Sequence, residues 1–210
     1  FTGRKVLVVG DVGVDRYTEG RVERISPEAP VPIVQVTSEK HKLGLAANVA
    51  DNVQALGGTP ILVGLVGGDA GADVFRKLLR DAGISDRNLA LDPGRRTILK
   101  ERVVSDRQQL LRIDYEDPRP LDANVGRKIL DEVEKALPAA DIVVLEDYAK
   151  GLMTPAFARD LLGLARAKKK PVYADPNPRS PMDLYQGVTL LTPNTKESEA
   201  LSGVKITGPE

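Results

Sequence analysis

Between Gly44 and Asp69 a helix, a glycine stop and a buried strand follow one another with no linker, an order that few architectures tolerate. Leu45, Val49, Val53 and Leu56 recur at helical spacing along one face. Gly57-Gly58 ends the helix, Pro60–Val66 reads as a buried strand, and Gly67-Gly68-Asp69 closes it. Small residues (Gly44, Ala46 and Ala47) fill the first turn and let a ligand approach the backbone closely. Asn48 adds an amide that both donates and accepts hydrogen bonds, as a sugar hydroxyl requires. An ordinary helix start with a solvent-facing Asn fits the same residues.

The remainder keeps this rhythm. Lys5–Val9 (KVLVV) is a short apolar run of the kind buried on both faces, and Gly10–Asp15 follows with two carboxylates at its carboxyl end. Helices are expected over Ala70–Ala82, Asp122–Leu137, Pro155–Lys168 and Asn194–Leu201, and strands over Asp141–Leu145, Val172–Ala174 and Val188–Leu191. Alternating units of this kind imply an α/β fold with a mostly parallel sheet flanked by helices. Two segments break the pattern. Pro27, Pro30 and Pro32 exclude helix from Tyr17–Thr37, and Thr97–Val104 with Gln108–Tyr115 reads as a hairpin. Together they predict a small β lid, segments 17–37 and 97–115, that covers the site, forms a dimer surface, or does both.

Several function classes drop out. With 30 basic and 30 acidic residues nothing suggests an electrostatic grip on nucleic acid or membrane. The absence of Cys removes disulfides, thiolate metal sites and Cys nucleophiles, and fits a reducing cytoplasm. GDVGVD is not a dinucleotide fingerprint, and neither a P-loop nor a G-x-S-x-G elbow occurs. His41 stands in an expected polar loop with no second His or Cys beside it. The chain starts without Met and stops at Thr207-Gly-Pro-Glu just after a helical pattern, so it is expected to be one truncated domain, residues 1–210 of a longer polypeptide.

Polar clusters recur where predicted strands end: Glu146–Gly151, Asp175–Arg179 and Thr192–Glu197. In a parallel sheet these share one edge with Asp15 and Gly67–Asp69. Carboxylates there hold Mg²⁺ through water, while Arg179 and helix N-termini receive phosphate, which points to phosphoryl transfer. Each cluster also has a plainer use; Asn194 and Glu197 form a capping-box pattern.

GDVGVDRY, RISPEAPVPIV, the Gly44–Asp69 block, EDYAKG, DPNPR and TPNTKESEAL fall in the order seen in the ribokinase-like (PfkB) carbohydrate kinases, which the chain resembles over nearly its full length. Within that family, RISPEAPVP and TILKERVVSDRQQLLRID are most similar to members that phosphorylate the anomeric hydroxyl of D-glycero-β-D-manno-heptose 7-phosphate, a step toward ADP-heptose and the lipopolysaccharide core. The resemblance implies ATP and Mg²⁺ as cofactors, a sugar phosphate as substrate, and a homodimer formed through the lid. It implies that Asp15, Gly44 and Asn48 bind the sugar, with Lys100, Arg102, Arg112 and Asp114 gripping it from the lid. Asp175, Asn177, Arg179, Asn194 and Glu197 would line the ATP phosphates, with Mg²⁺ held through water near Glu197 and no direct protein ligand. A kinase of a free hexose or pentose, or a sugar-binding or dimerisation module without catalysis, are the alternatives.

Two departures stand out. Leu45 replaces a second family glycine and is expected to narrow the sugar pocket. The family's Gly-Ala-Gly-Asp turn, which carries the general base and the anion hole, is missing; the only Gly-x-Gly-Asp-like stretch is Val66-Gly67-Gly68-Asp69, so the base is expected beyond residue 210.

Overall fold

The computed structural model describes residues 1–106 and 108–208; Arg107, inside the expected hairpin, and Pro209 and Glu210 lie outside them. In chain order the strands and helices are β1 (Lys5–Gly10), β2 (Val12–Ile25), β3 (Pro32–Leu45), α1 (Ala46–Ala55), β4 (Thr59–Gly67), α2 (Ala70–Asp81), β5 (Leu89–Asp92), β6 (Ile98–Ser105), β7 (Gln108–Tyr115), α3 (Ala123–Ala136), β8 (Ile142–Glu146), α4 (Pro155–Ala167), β9 (Val172–Asp175), β10 (Leu190–Leu191) and α5 (Thr195–Ser202).

Six strands form one parallel sheet in the order β10-β9-β8-β1-β4-β5. The apolar run of β1 explains its central place. Val6 and Val8 point into a core built with Ala50 of α1 and Phe75 and Leu79 of α2. Leu7 and Val9 point the other way, into a core with Ile129 and Val133 of α3 and Phe157 and Leu161 of α4. Truncating a residue such as Phe75, which is fully buried, costs about 3–5 kcal/mol. The helices are capped as their sequences direct: Asp69 accepts from Ala72 N–H, Asp122 from Asn124 N–H and Thr154 from Phe157 N–H. Later strands add on opposite sides of β1, so the strand order reverses between β1 and β8, where open α/β sheets place ligands.

A second sheet of four strands, β3-β2-β6-β7, stands beside this body. It is larger than the segments 17–37 and 97–115 suggested. β2 begins at Val12, so Asp15 belongs to this sheet and not to the end of β1; Val12 and Val14 are buried, and Gly13 lies so close to Ile98 that a Cβ would meet its carbonyl at 2.7 Å. β3 runs on through His41, which is therefore in a strand and not a loop, to Leu45. The helix after it starts at Ala46 and ends before Leu56, which is exposed. β5 was not anticipated, and the strand expected over Val188–Leu191 shortens to two residues.

Candidate active site

The carboxyl edge of the parallel sheet is acidic and, among the described residues, poorly neutralised. β8 and β9 pair in register, which sets Glu146 directly beside Asp175. Burial, then the Asp175 charge, pushes Glu146 up to about 7. Burial and the charge of Glu197 raise Asp175 as well. Tyr148 lies among them: burial comes first, then the charges of Glu146, Asp175 and Asp15 hold its phenol above the ordinary value. At the end of β1 Asp11 is buried; burial pushes it up to about 6 although Lys150 and Leu152 N–H donate to it at 3.1 and 3.3 Å. These two bonds fasten the loop of EDYAKG onto β1.

Asn194 and Glu197 form the capping box of α5: Asn194 Oδ1 accepts from Glu197 N–H at 3.1 Å and Glu197 Oε2 from Asn194 N–H at 2.8 Å. Asn177 donates to the Asp147 carbonyl at 3.3 Å and accepts from Arg179 N–H at 3.0 Å, while Arg179 Nη2 reaches the Tyr148 carbonyl at 3.3 Å. Asp175, Asn177, Arg179, Asn194 and Glu197 are thus brought to one edge, and the register adds Glu146 and Tyr148 of the Glu146–Gly151 cluster, to which the resemblance gave no role. The signal was present: EDY follows DIVVL directly.

Around the second sheet the electrostatics reverse. Cross-strand pairing puts Lys42, Asp15, Lys100 and Asp114 in one row and Lys40, Tyr17, Arg102 and Arg112 in the next, all on one face. Arg102 Nη1 donates to Asp15 Oδ1 at 2.6 Å. Gly44 is packed against the same carboxylate; a Cβ there would stand 3.0 Å from Asp15 Oδ2. Lys100 donates to Asp114 at 3.2 Å and Glu116 at 3.3 Å, and Arg112 grips Asp114 with two N–H groups. Burial acts to raise Asp114, but Arg112 and Lys100 outweigh it and hold the carboxyl low. Lys150 reaches across from its loop to Glu116 at 2.6 Å, and burial of that carboxyl is likewise overcome by Lys150 and Lys100. Asn48 is exposed on the first turn of α1, next to the β3 end that carries Gly44.

A cleft of about 660 Å³ opens on the opposite face of this sheet, lined by Arg16, Leu99 and Tyr115 with Gly68–Gly71. Beside it Arg95 is buried and donates to the carbonyls of Asp117, Arg119, Pro120 and Lys150, tying the chain after β7 to the EDYAKG loop.

The two described carboxylates nearest a general-base pattern are both engaged. Asp69 accepts from Ala72 N–H and Thr97 N–H, and Asp147 from the hydroxyls of Ser180 and Tyr185 and from Ala149 N–H. Leu45, the departure from the family glycine, has φ +58° and ψ −137°, a backbone conformation that glycine adopts freely and leucine does not.

A parallel α/β body with a second small sheet at its carboxyl edge defines the ribokinase-like fold. Solved structures show the same arrangement: phosphofructokinase-2 from Escherichia coli in complex with substrates and products (TM-score 0.75, 19% identity, 98% of this chain and 65% of that one) and Arabidopsis thaliana ribokinase complexed with ribose and ATP (0.71, 18%, 99% and 65%). The model of the pfkB family of carbohydrate kinases matches residues 4–210, and the chain belongs to that family. It is 47% identical over 205 residues to the bifunctional protein HldE of Caulobacter vibrioides and 45% identical over 203 residues to that of Alkalilimnicola ehrlichii, covering 97% of this chain in both. The chain spans 41% of the length of each of these curated relatives.

Proposed function

We propose that the chain provides the sugar-binding and part of the nucleotide-binding portion of an ATP-dependent kinase that phosphorylates the anomeric hydroxyl of D-glycero-β-D-manno-heptose 7-phosphate in the cytoplasm. The observation that carries the reading is the meeting, around Tyr148, of an acidic edge and a face on which Lys and Arg are paired with carboxylates. Asp15, Gly44 and Asn48 bind sugar hydroxyls; Lys100, Arg102, Arg112 and Asp114 hold the substrate from the second sheet. Asp175, Asn177, Arg179, Asn194 and Glu197 line the path of the ATP phosphates.

The acidic edge fits a hydrated Mg²⁺. Glu146 and Asp175 repel one another and Glu197 adds to that repulsion, so a cation relieves all three. Mg²⁺ keeps much of its own water shell, so these carboxylates would hold it through water. When bound, Mg²⁺ would neutralise phosphate charge. The chain's own residues orient: Arg179 would receive the phosphates, and Asn177 fixes Arg179.

We also propose a two-fold dimer through the second sheet, whose Ile25, Leu111 and Ile113 are 60%, 47% and 38% exposed. Light scattering that returns a monomer would remove it. The substrate reading is tested by ADP release from the full-length polypeptide with the heptose 7-phosphate, the free heptose, and common free hexoses and pentoses. Turnover only of a free sugar replaces the substrate, and sugar binding with no turnover leaves a binding module.

A further inference from the structure

On the basic face of the second sheet almost every cation is already committed to a carboxylate. Arg102 holds Asp15, Lys100 holds Asp114 and Glu116, Arg112 holds Asp114, and Lys40 donates to Glu19. Lys42 is the exception: it pairs with no carboxylate among the described residues. Its Nζ stands 5.6 Å from the centre of the Tyr17 ring, and the Arg102 guanidinium stands 5.4 Å from the same centre. Tyr17 therefore gathers two cations about one ring, one neutralised and one not.

The rows of the sheet give this pair a direction. Asp15 lies in one row and Tyr17 in the next one outward, about 7 Å along the strand. That spacing suits a sugar whose ring hydroxyls meet Asp15 and whose exocyclic chain runs outward to an anion. Asp15 keeps acceptor sites for sugar hydroxyls while it holds Arg102, since an ionised carboxylate accepts about four hydrogen bonds.

We propose that Lys42, carried over the Tyr17 ring, binds the phosphate at the far end of the sugar, with the Arg102 guanidinium over the same ring adding its charge while it stays on Asp15. The proposal rests on the sugar phosphate reading above and adds the residues that select a phosphorylated over a free sugar. Lys42 is exposed and belongs to the second sheet, not to the acidic edge, so it acts on substrate choice and not on phosphoryl transfer.

The test compares the full-length polypeptide with its Lys42→Gln and Lys42→Arg variants on heptose 7-phosphate and free heptose. The ratio of kcat/KM for the phosphate over that for the free sugar should fall about 10- to 100-fold in Lys42→Gln, the range for a charge-assisted hydrogen bond. The loss should lie in KM, and Lys42→Arg should recover most of it. A wild-type preference for the phosphate that survives Lys42→Gln overturns the anchor and leaves the substrate reading intact, as does an equal loss on both sugars. A wild type that does not prefer the phosphate overturns the substrate reading, and the anchor with it.

Discussion

The two halves of the site hold carboxylates in opposite states. At the edge of the parallel sheet Glu146 and Asp175 face one another and are pushed up; on the second sheet Asp114 and Glu116 lie among lysines and arginines and are held low. Burial acts in the same direction in all four, so the difference is made by the neighbours. The edge has repulsion that a cation relieves. The sheet has nearly balanced its own charges, with Lys42 left over for an anion.

The two described carboxylates nearest a general-base pattern are both engaged, and this gives the largest expected effect. The structure ties Asp69 to Ala72 and Thr97, and Asp147 to Ser180, Tyr185 and Ala149. A missing general base costs a factor of about 10²–10⁴, and a missing anion hole about 10²–10³ more. Residues 1–210 alone should show no turnover above background in an ADP-release assay, and a polypeptide extended to a Gly-x-Gly-Asp turn should be active. Full activity of the shorter one would mean that a described carboxylate serves as base after all.

The next effect strikes the basic half alone. Asp15→Asn removes the partner of Arg102 and an acceptor for sugar hydroxyls, and should lower kcat/KM for the sugar by about 1.5–3 kcal/mol while KM for ATP stays within a factor of a few. Equal damage to both substrates would mean that the two halves are not separable.

How much of this contrast was legible in the sequence differs between the halves. The acidic edge was nearly complete: DIVVL, the caps and the Asn194–Glu197 box are local patterns, and only the pairing of Glu146 with Asp175 required the register. The second sheet was half visible. Near the body β3 carries Glu39, Lys40, His41 and Lys42 and reads as loop, and the short buried run of β2, Val12 and Val14, is broken by Gly13 and followed at once by Asp15. The four carbonyls around Arg95 come from residues 117–150, and no local pattern announces such a contact.

A third test uses pH. Native Glu146 keeps its proton up to about pH 7, whereas the unfolded chain loses it near the ordinary glutamate value of 4.5. Over that window the folded state binds more protons, so the stability this group contributes is full below 4.5 and lost as pH rises through 7. Asp11, pushed up to about 6, acts the same way at slightly lower pH. The melting temperature of Glu146→Gln should therefore fall less than that of wild type between pH 5 and 7.5, the slope differing by up to about 1.4 kcal/mol per pH unit. Asp114→Asn should do the reverse: a carboxyl held low adds stability above its unfolded pKa and loses it on acidification, so this variant should match wild type more closely at acid pH than at neutral. Parallel curves for both variants would erase the contrast between the halves.

The smallest effect lies where the halves join. Leu45 ends β3 and caps α1, linking Gly44 of the basic face to the body at φ +58°. A non-glycine residue in such a region carries about 1–3 kcal/mol of strain. Glycine would release it but adds about 0.4–1 kcal/mol of unfolded-chain entropy and gives up a partly buried side chain. These terms nearly cancel, so Leu45→Gly should change stability by less than about 1 kcal/mol. Leu45→Ile keeps the apolar bulk and places a β-branched carbon at positive φ, which should cost about 1–2 kcal/mol. Denaturant melts of the two variants separate the backbone from the side chain. If glycine is the worse substitution, the leucine side chain is holding the junction, and the expected narrowing of the sugar pocket by Leu45 becomes the weaker account of why it is there.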